Sequence, residues 1–140
     1  QGHDVEDAHV PRGPIPDRYL PILESTTLGH LATLDAQGSP QVNPVWCLWD
    51  GERILLSVKA DTMKYRNLRG DPRLAMSFAD LANPFHYVEL RGKVESFELY
   101  RDLSFVNRLA QKYTGKDMDP REHGKERYKL TVRVDSWTGQ

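Results

Sequence analysis

Between residues 30 and 134 the chain sets apolar against polar positions in short runs, and the clearest run comes last. Tyr128, Leu130, Val132 and Val134 alternate with Lys129, Thr131 and Arg133, the period-2 pattern of a strand with one buried face. The same period puts Ile54, Leu56 and Val58 on one face of a strand and Arg53, Leu55 and Ser57 on the other. Strands are predicted over 30–34, 41–49, 53–58, 73–78, 84–94 and 127–134. Asp35-Ala-Gln-Gly-Ser39 and Asp50-Gly51 read as turns that make hairpins of the first three. Pro44 cannot donate to a ladder, so its strand is expected at an edge or a bulge. Gly92 marks a bulge or a close approach of backbones.

Two segments change period. Leu103, Val106, Leu109, Ala110 and Tyr113 recur at helical spacing and predict an amphipathic helix over about 99–113, which Gly115 ends. A shorter helix is predicted over 61–69, with Asp61 as its cap and Gly70 as its stop. Another short helix is expected to run from Pro16 to about Glu24, its regularity limited by Pro21. Six strands, two substantial helices and no strand–helix–strand rhythm point to a mainly β protein, an antiparallel barrel with short peripheral helices. The sequence has neither a G-x-G-x-x-G turn nor a G-x-x-x-x-G-K-[ST] loop, so Rossmann and P-loop readings fail.

Composition narrows the function classes. A chain of 140 residues suits one domain with a modest core, for which a partner's surface could supply the second wall of a large pocket. Residues 1–17 are polar, with Pro11, Pro14 and Pro16, and read as a flexible N-terminal arm; 18–140 is then the barrel domain. A net charge of −1 argues against a dedicated nucleic-acid binder. Without an 18-residue apolar run or a leader pattern, no membrane association and a cytoplasmic location are expected. Cys47, the single cysteine, reads as a small buried hydrophobe. His30 and His86 have no carboxylate cluster beside them, so no metal is expected. His123 sits in a polar loop and carries no reading of its own.

The chemistry concentrates in Ser57-Val-Lys-Ala-Asp-Thr-Met-Lys-Tyr-Arg-Asn-Leu-Arg69, a strand end running into a basic helix. Lys59, Lys64 and Arg66 are the residue types that hold a phosphoryl group, the ammonium as a point charge and the guanidinium as a planar fork. The plainer reading is a solvated charged face. Arg69 and Arg73 read as outer-surface or ion-pairing residues. Trp46 and Trp49, three apart in an extended segment, point to opposite faces, and Trp46 is the better candidate for ring contact.

A family resemblance rests on Leu31-Ala-Thr-Leu34, Gly38-Ser-Pro-Gln-Val-Asn-Pro-Val-Trp46, Asp50-Gly51, Lys64-Tyr-Arg-Asn-Leu68, Asp71-Pro-Arg73, Asn83-Pro84, Tyr87-Val-Glu-Leu-Arg-Gly92 and Leu109-Ala-Gln-Lys-Tyr-Thr-Gly115. Over about 28–135 the chain resembles the split β-barrel family related to pyridoxamine 5′-phosphate oxidase, in the branch that uses the deazaflavin coenzyme F420. FMN-binding relatives share the barrel. The resemblance implies a homodimer with the cofactor in a groove at the interface. It implies a tail phosphate against Lys59, Lys64 and Arg66, with Asn67 fixing the helix or the tail. The ring system would lie along Val42, Asn43, Pro44, Val45 and Trp46, with Ser57 beside the ribityl chain. Phe78, Asn83, Pro84 and Tyr87 of the other subunit would complete the groove. The activity implied is hydride transfer to a conjugated small-molecule acceptor such as an enone, a quinone or a tetrapyrrole. The alternatives are an FMN-dependent oxidoreductase on the same barrel, or a non-catalytic protein that binds F420, FMN or haem, the last with His30 or His86 as an axial ligand.

Overall fold

The computed structural model describes residues 12–124 and 126–140. Seven strands form one antiparallel sheet: β1 (Gly29–Leu34), β2 (Pro40–Val45), β3 (Leu48–Trp49), β4 (Arg53–Lys59), β5 (Arg73–Ala79), β6 (Tyr87–Tyr100) and β7 (Arg127–Gly139). Their order is β2-β1-β5-β6-β7-β4-β3. The two edge strands, β2 and β3, are consecutive in the chain and separated by Trp46 and Cys47 alone. The three Cα steps from Val45 to Leu48 span about 11 Å at most, so the sheet must curl until its edges come close. It closes without hydrogen bonds across the seam, and this is the split of the barrel.

Among the described residues three α-helices attach to the sheet: α1 (Leu20–Glu24), α2 (Met63–Gly70) and α3 (Ser104–Thr114). Pro21 lies in the first turn of α1, where its missing N–H costs nothing. Thr62, one residue beyond the expected Asp61, caps α2, its hydroxyl accepting from Tyr65 N at 3.4 Å. Gly115 ends α3 at φ 75°, the left-handed geometry a glycine adopts freely. No helix among the described residues is long and apolar enough to cross a membrane.

Side chains from alternate strand positions fill the barrel, with Leu31, Leu56, Phe78, Val88 and Leu130 essentially without exposed surface. β4 is buried on both faces. Ile54, Leu56 and Val58 point inward, while Leu55 packs outward against Phe105 and Leu109 of α3. Pro44 lies on edge strand β2 opposite His30. At Gly92 the β6–β7 register shifts, and a Cβ there would stand 1.8 Å from the Arg133 carbonyl oxygen.

Several boundaries differ from the sequence expectation. The strand expected over 41–49 is broken at Trp46-Cys47, where the chain crosses the seam. β6 begins at Tyr87 rather than 84 and runs on to Tyr100, through residues expected to open the following helix. A second register shift, between Val94 and Ser96, interrupts its alternation, and pairing as far as Tyr100↔Arg127 keeps it extended. β7 continues five residues past Val134 to Gly139. Of the expected arm, residues 1–11 lie outside the described residues. Arg12 bridges Ser136, and Ile15 is buried in the core.

Candidate functional site

A cleft of about 350 Å³ opens beside the seam. Pro44, Val45 and Trp46 come from the seam, Ser57 from β4, Lys64 from α2, Arg127 from the start of β7, and Val106 and Leu109 from α3; Leu28 and Met118 complete it. Five expected site residues therefore share one space: Pro44, Val45, Trp46, Ser57 and Lys64. Its walls are largely apolar, its floor carries cations and a hydroxyl, and no carboxylate lines it among the described residues.

The cationic corner follows from strand register. Lys59 and Arg127 are direct partners across the β4–β7 ladder. Lys64 reaches the same corner from α2. Burial, then Lys59 and Arg127, lower its ammonium below the usual lysine range. Arg127 Nη1 donates to Ser57 Oγ at 3.3 Å and Nε to the His123 carbonyl at 2.7 Å. Ser57 Oγ is also hydrogen-bonded to the Tyr100 hydroxyl. Burial raises the Tyr100 phenol, so it stays protonated at neutral pH. His123 is 4% exposed, stacks edge-on to Tyr100 and leaves Nε2 without a hydrogen-bond partner among the described residues.

A larger concavity, about 430 Å³, lies over β1, β5, β6 and β7. Two of its cations are paired, Arg73 with Asp71 at 2.7 Å and Arg91 with Glu89 at 3.2 Å; Arg12 and Lys93 also line it, and Asp135 in its wall pairs with Arg133 at 2.7 Å. The smaller cleft joins an apolar wall to cations with no carboxylate among its described lining residues, and is the better candidate for an anionic ligand with a flat apolar end.

The other expected site residues lie elsewhere. Val42 and Asn43 continue edge strand β2 away from the cleft, Val42 being 62% exposed. Lys59 is exposed at the rim. Arg66 lies two residues from Lys64 on α2, about 200° around the helix, and faces a different groove with Asp35, Met63 and Arg73. Asn67 is buried, its Nδ2 donating to Thr33 Oγ1 at 3.0 Å and Gln41 Oε1 at 3.1 Å, so it pins α2 to the β1–β2 hairpin. Phe78 corrects an expectation outright: its ring has no exposed surface and fills the barrel interior, so it cannot offer a face to a partner's groove. Asn83 and Pro84 are exposed on the β5–β6 turn and Tyr87 is half-buried at the start of β6; none lines the cleft of its own chain.

Arg127, Tyr100 and His123 went unread in the sequence. Tyr100 and Arg127 fell at element ends and His123 in a polar loop, and only the β6–β7–β4 register brings them to Ser57. Arg69 and Arg73 are found on the outer surface. Arg69 lies 4.0 Å from the centroid of the Phe97 ring and also faces Tyr65 and Tyr128, and Arg73 pairs with Asp71. Among the described residues no group of three or more His, Cys, Asp or Glu side chains is placed to hold a metal ion.

The family model of pyridoxamine 5′-phosphate oxidase matches residues 15–135. A solved F420 reductase is 36% identical, with 90% of this chain and 100% of that chain covered and a TM-score of 0.81. A conserved protein from Mycobacterium tuberculosis is 21% identical, with 94% and 86% covered and a TM-score of 0.66. HupZ of Group A Streptococcus is 18% identical, with 89% and 93% covered and a TM-score of 0.62. The last two likenesses are of fold.

Proposed function

Because the chain belongs to the pyridoxamine 5′-phosphate oxidase-like family of split β-barrel oxidoreductases, we propose that it reduces a small conjugated acceptor with a hydride drawn from reduced coenzyme F420. The observation that carries this reading is the composition of the cleft. Lys64 and Arg127 converge with Ser57 where no carboxylate among the described residues balances them, beside a wall of Val45, Trp46, Val106 and Leu109. Such a site fits a molecule with a phosphoryl group at one end and a flat ring at the other.

Lys64, Arg127 and Ser57 would hold the phosphoryl group, with Lys59 at the rim. The guanidinium offers two parallel donors and the ammonium a point charge. Pro44, Val45 and Trp46 would bound the ring, with Val42 and Asn43 further along the same edge. When bound, the deazaflavin supplies two-electron hydride chemistry. The chain orients donor and acceptor, excludes water with Val106, Leu109 and Met118, and sets positive charge where negative charge develops. At about 350 Å³ the cleft is small for a tailed cofactor. A second copy closing the groove, with Asn83, Pro84 and Tyr87 at its rim, is part of this reading. Arg66, on the far side of α2, is left to the outer tail. The acceptor is of the enone, quinone or tetrapyrrole class.

The test is separate titration with F420 and FMN, followed by the rise in oxidised-F420 absorbance when each acceptor class is added to the protein with reduced F420. Micromolar or tighter F420 binding, much weaker FMN binding and acceptor-dependent oxidation are expected. Preference for FMN would move the protein to the flavin-dependent reading, and tight F420 binding with no turnover of any acceptor would make it a carrier.

A further inference from the structure

Cys47 lies in the break between β2 and β3, so its N–H and C=O have no ladder partner, yet its side chain is 1% exposed. Backbone groups buried in this way need other partners, and the end of α3 provides them. Tyr113 Oη accepts from Cys47 N at 3.1 Å and donates to Cys47 O at 3.2 Å. Lys112 Nζ donates to Cys47 O at 2.9 Å and to Leu23 O at 3.2 Å. Burial lowers the Lys112 ammonium and raises the Tyr113 phenol. Closing the seam needs these polar atoms, and a hydroxyl on any scaffold of the right reach would serve.

The Tyr113 ring does something the seam does not require. It stacks on Trp46 with centroids 5.2 Å apart and planes 4° from parallel. Trp46 lines the cleft, and Tyr113 does not. The stack therefore fixes the plane of an indole at the cleft wall from behind, while the hydroxyl anchors the next residue of the backbone. Two contacts hold the same tyrosine, so neither ring turns independently of α3.

We propose that Tyr113 is a positioning residue, holding the Trp46 indole as a flat wall of the cleft and so setting affinity for the conjugated ring system of the bound molecule. The identity of that molecule rests on the preceding reading; the positioning itself does not.

The experiment is a double-mutant cycle on F420 affinity with Trp46→Leu, Tyr113→Leu and the pair, and Tyr113→Phe as the variant that keeps the ring. Lys112 stays in place throughout, so the Cys47 carbonyl keeps a donor, and Tyr113→Met replaces Tyr113→Leu should the latter not fold. Tyr113→Leu is expected to raise Kd about three- to tenfold, the range for an aromatic pair. That increase disappears when Trp46 is already leucine, and Tyr113→Phe stays within about twofold of wild type because the stack survives. An unchanged Kd in Tyr113→Leu, or the same increase with and without Trp46, would overturn the proposal. If the wild-type protein does not bind F420, the functional reading fails and the positioning is judged by itself. In a Trp49→Phe/Trp137→Phe background, acrylamide quenching of Trp46 emission must rise on Tyr113→Leu; no rise overturns the proposal.

Discussion

Arg127 reaches Ser57 across the β4–β7 ladder, Nη1 to Oγ at 3.3 Å, and is aimed there by its second bond, Nε to the His123 carbonyl at 2.7 Å. The guanidinium thus lies across the cleft floor beside Lys64 rather than swinging in solvent. A preset fork loses little side-chain freedom when an anion arrives. Arg127→Met should therefore raise the Kd for F420 about 10- to 100-fold, the worth of a charge-assisted hydrogen bond. Arg127→Lys should recover only part of the loss. Arg121→Met, which removes an exposed partner of Asp119, is the control and should leave Kd unchanged in the same fluorescence titration.

Lys64 makes the opposite trade. Its folded pKa is lowered by burial and by Lys59 and Arg127, whereas in the unfolded chain the amine titrates near 10.4. Between the two values the unfolded chain binds more protons, so stability rises with pH across that window. Below the folded value both states are protonated and the cost is felt in full. Lys64→Met should raise the Tm of the cofactor-free protein at neutral pH by about 2–4 °C and flatten its rise toward alkaline pH. The same variant should bind F420 more weakly. Scanning calorimetry from neutral to alkaline pH checks the first pair of outcomes and titration the last; a lower Tm would show that Lys64 is not electrostatically strained.

Much of the fold could be read from local pattern, because the terms that set it are local. Period-2 alternation named the inward faces of β4 and β7, the Asp50-Gly51 turn joined β3 to β4, and Pro44 marked an edge strand. The same period also places Leu74, Met76 and Phe78 together on the buried face of β5, so the signal against Phe78 as a groove residue was present. Likewise, 100° per residue separates Arg66 from Lys64 around α2. Long-range register could not be read. The Lys59↔Arg127 pairing and the meeting of Ser57, Tyr100 and Arg127 depend on how far β6 runs and where its bulges fall. A residue such as His123 gives no sequence sign that a loop will bury it.

Asn67 ties α2 to the hairpin through two side-chain bonds, a buried one to Thr33 and a half-buried one to Gln41. Thr33 is 2% exposed, so bulk solvent does not reach it to replace a lost donor. Asn67→Ala should lower unfolding stability by about 2 kcal/mol, the cost of leaving a buried polar partner unmatched. Because the helix carrying Lys64 loses its anchor, cofactor affinity should fall as well. Urea denaturation reads the first effect. A change below a few tenths of a kcal/mol would show that the helix is held by its apolar contacts alone.

Gly92 is where β6 comes too close to β7 for any side chain. A Cβ would meet the Arg133 carbonyl oxygen at 1.8 Å and Val134 Cα at 3.2 Å, both backbone positions that cannot rotate away. The bulge sits mid-ladder between the longest two strands, so relief requires shifting the register that also sets Tyr100 against Arg127. Gly92→Ala should cost at least about 4 kcal/mol and appear as insoluble protein or a collapsed urea midpoint. Gly70→Ala is the matched control, since nothing lies within 4 Å of its added Cβ and the position is helical. It should be neutral or stabilising by about 0.5–1 kcal/mol. If Gly92→Ala folds with wild-type stability, the two strands have room to part at the bulge. The corner built from Ser57, Tyr100 and Arg127 would then rest on a looser ladder than its geometry requires.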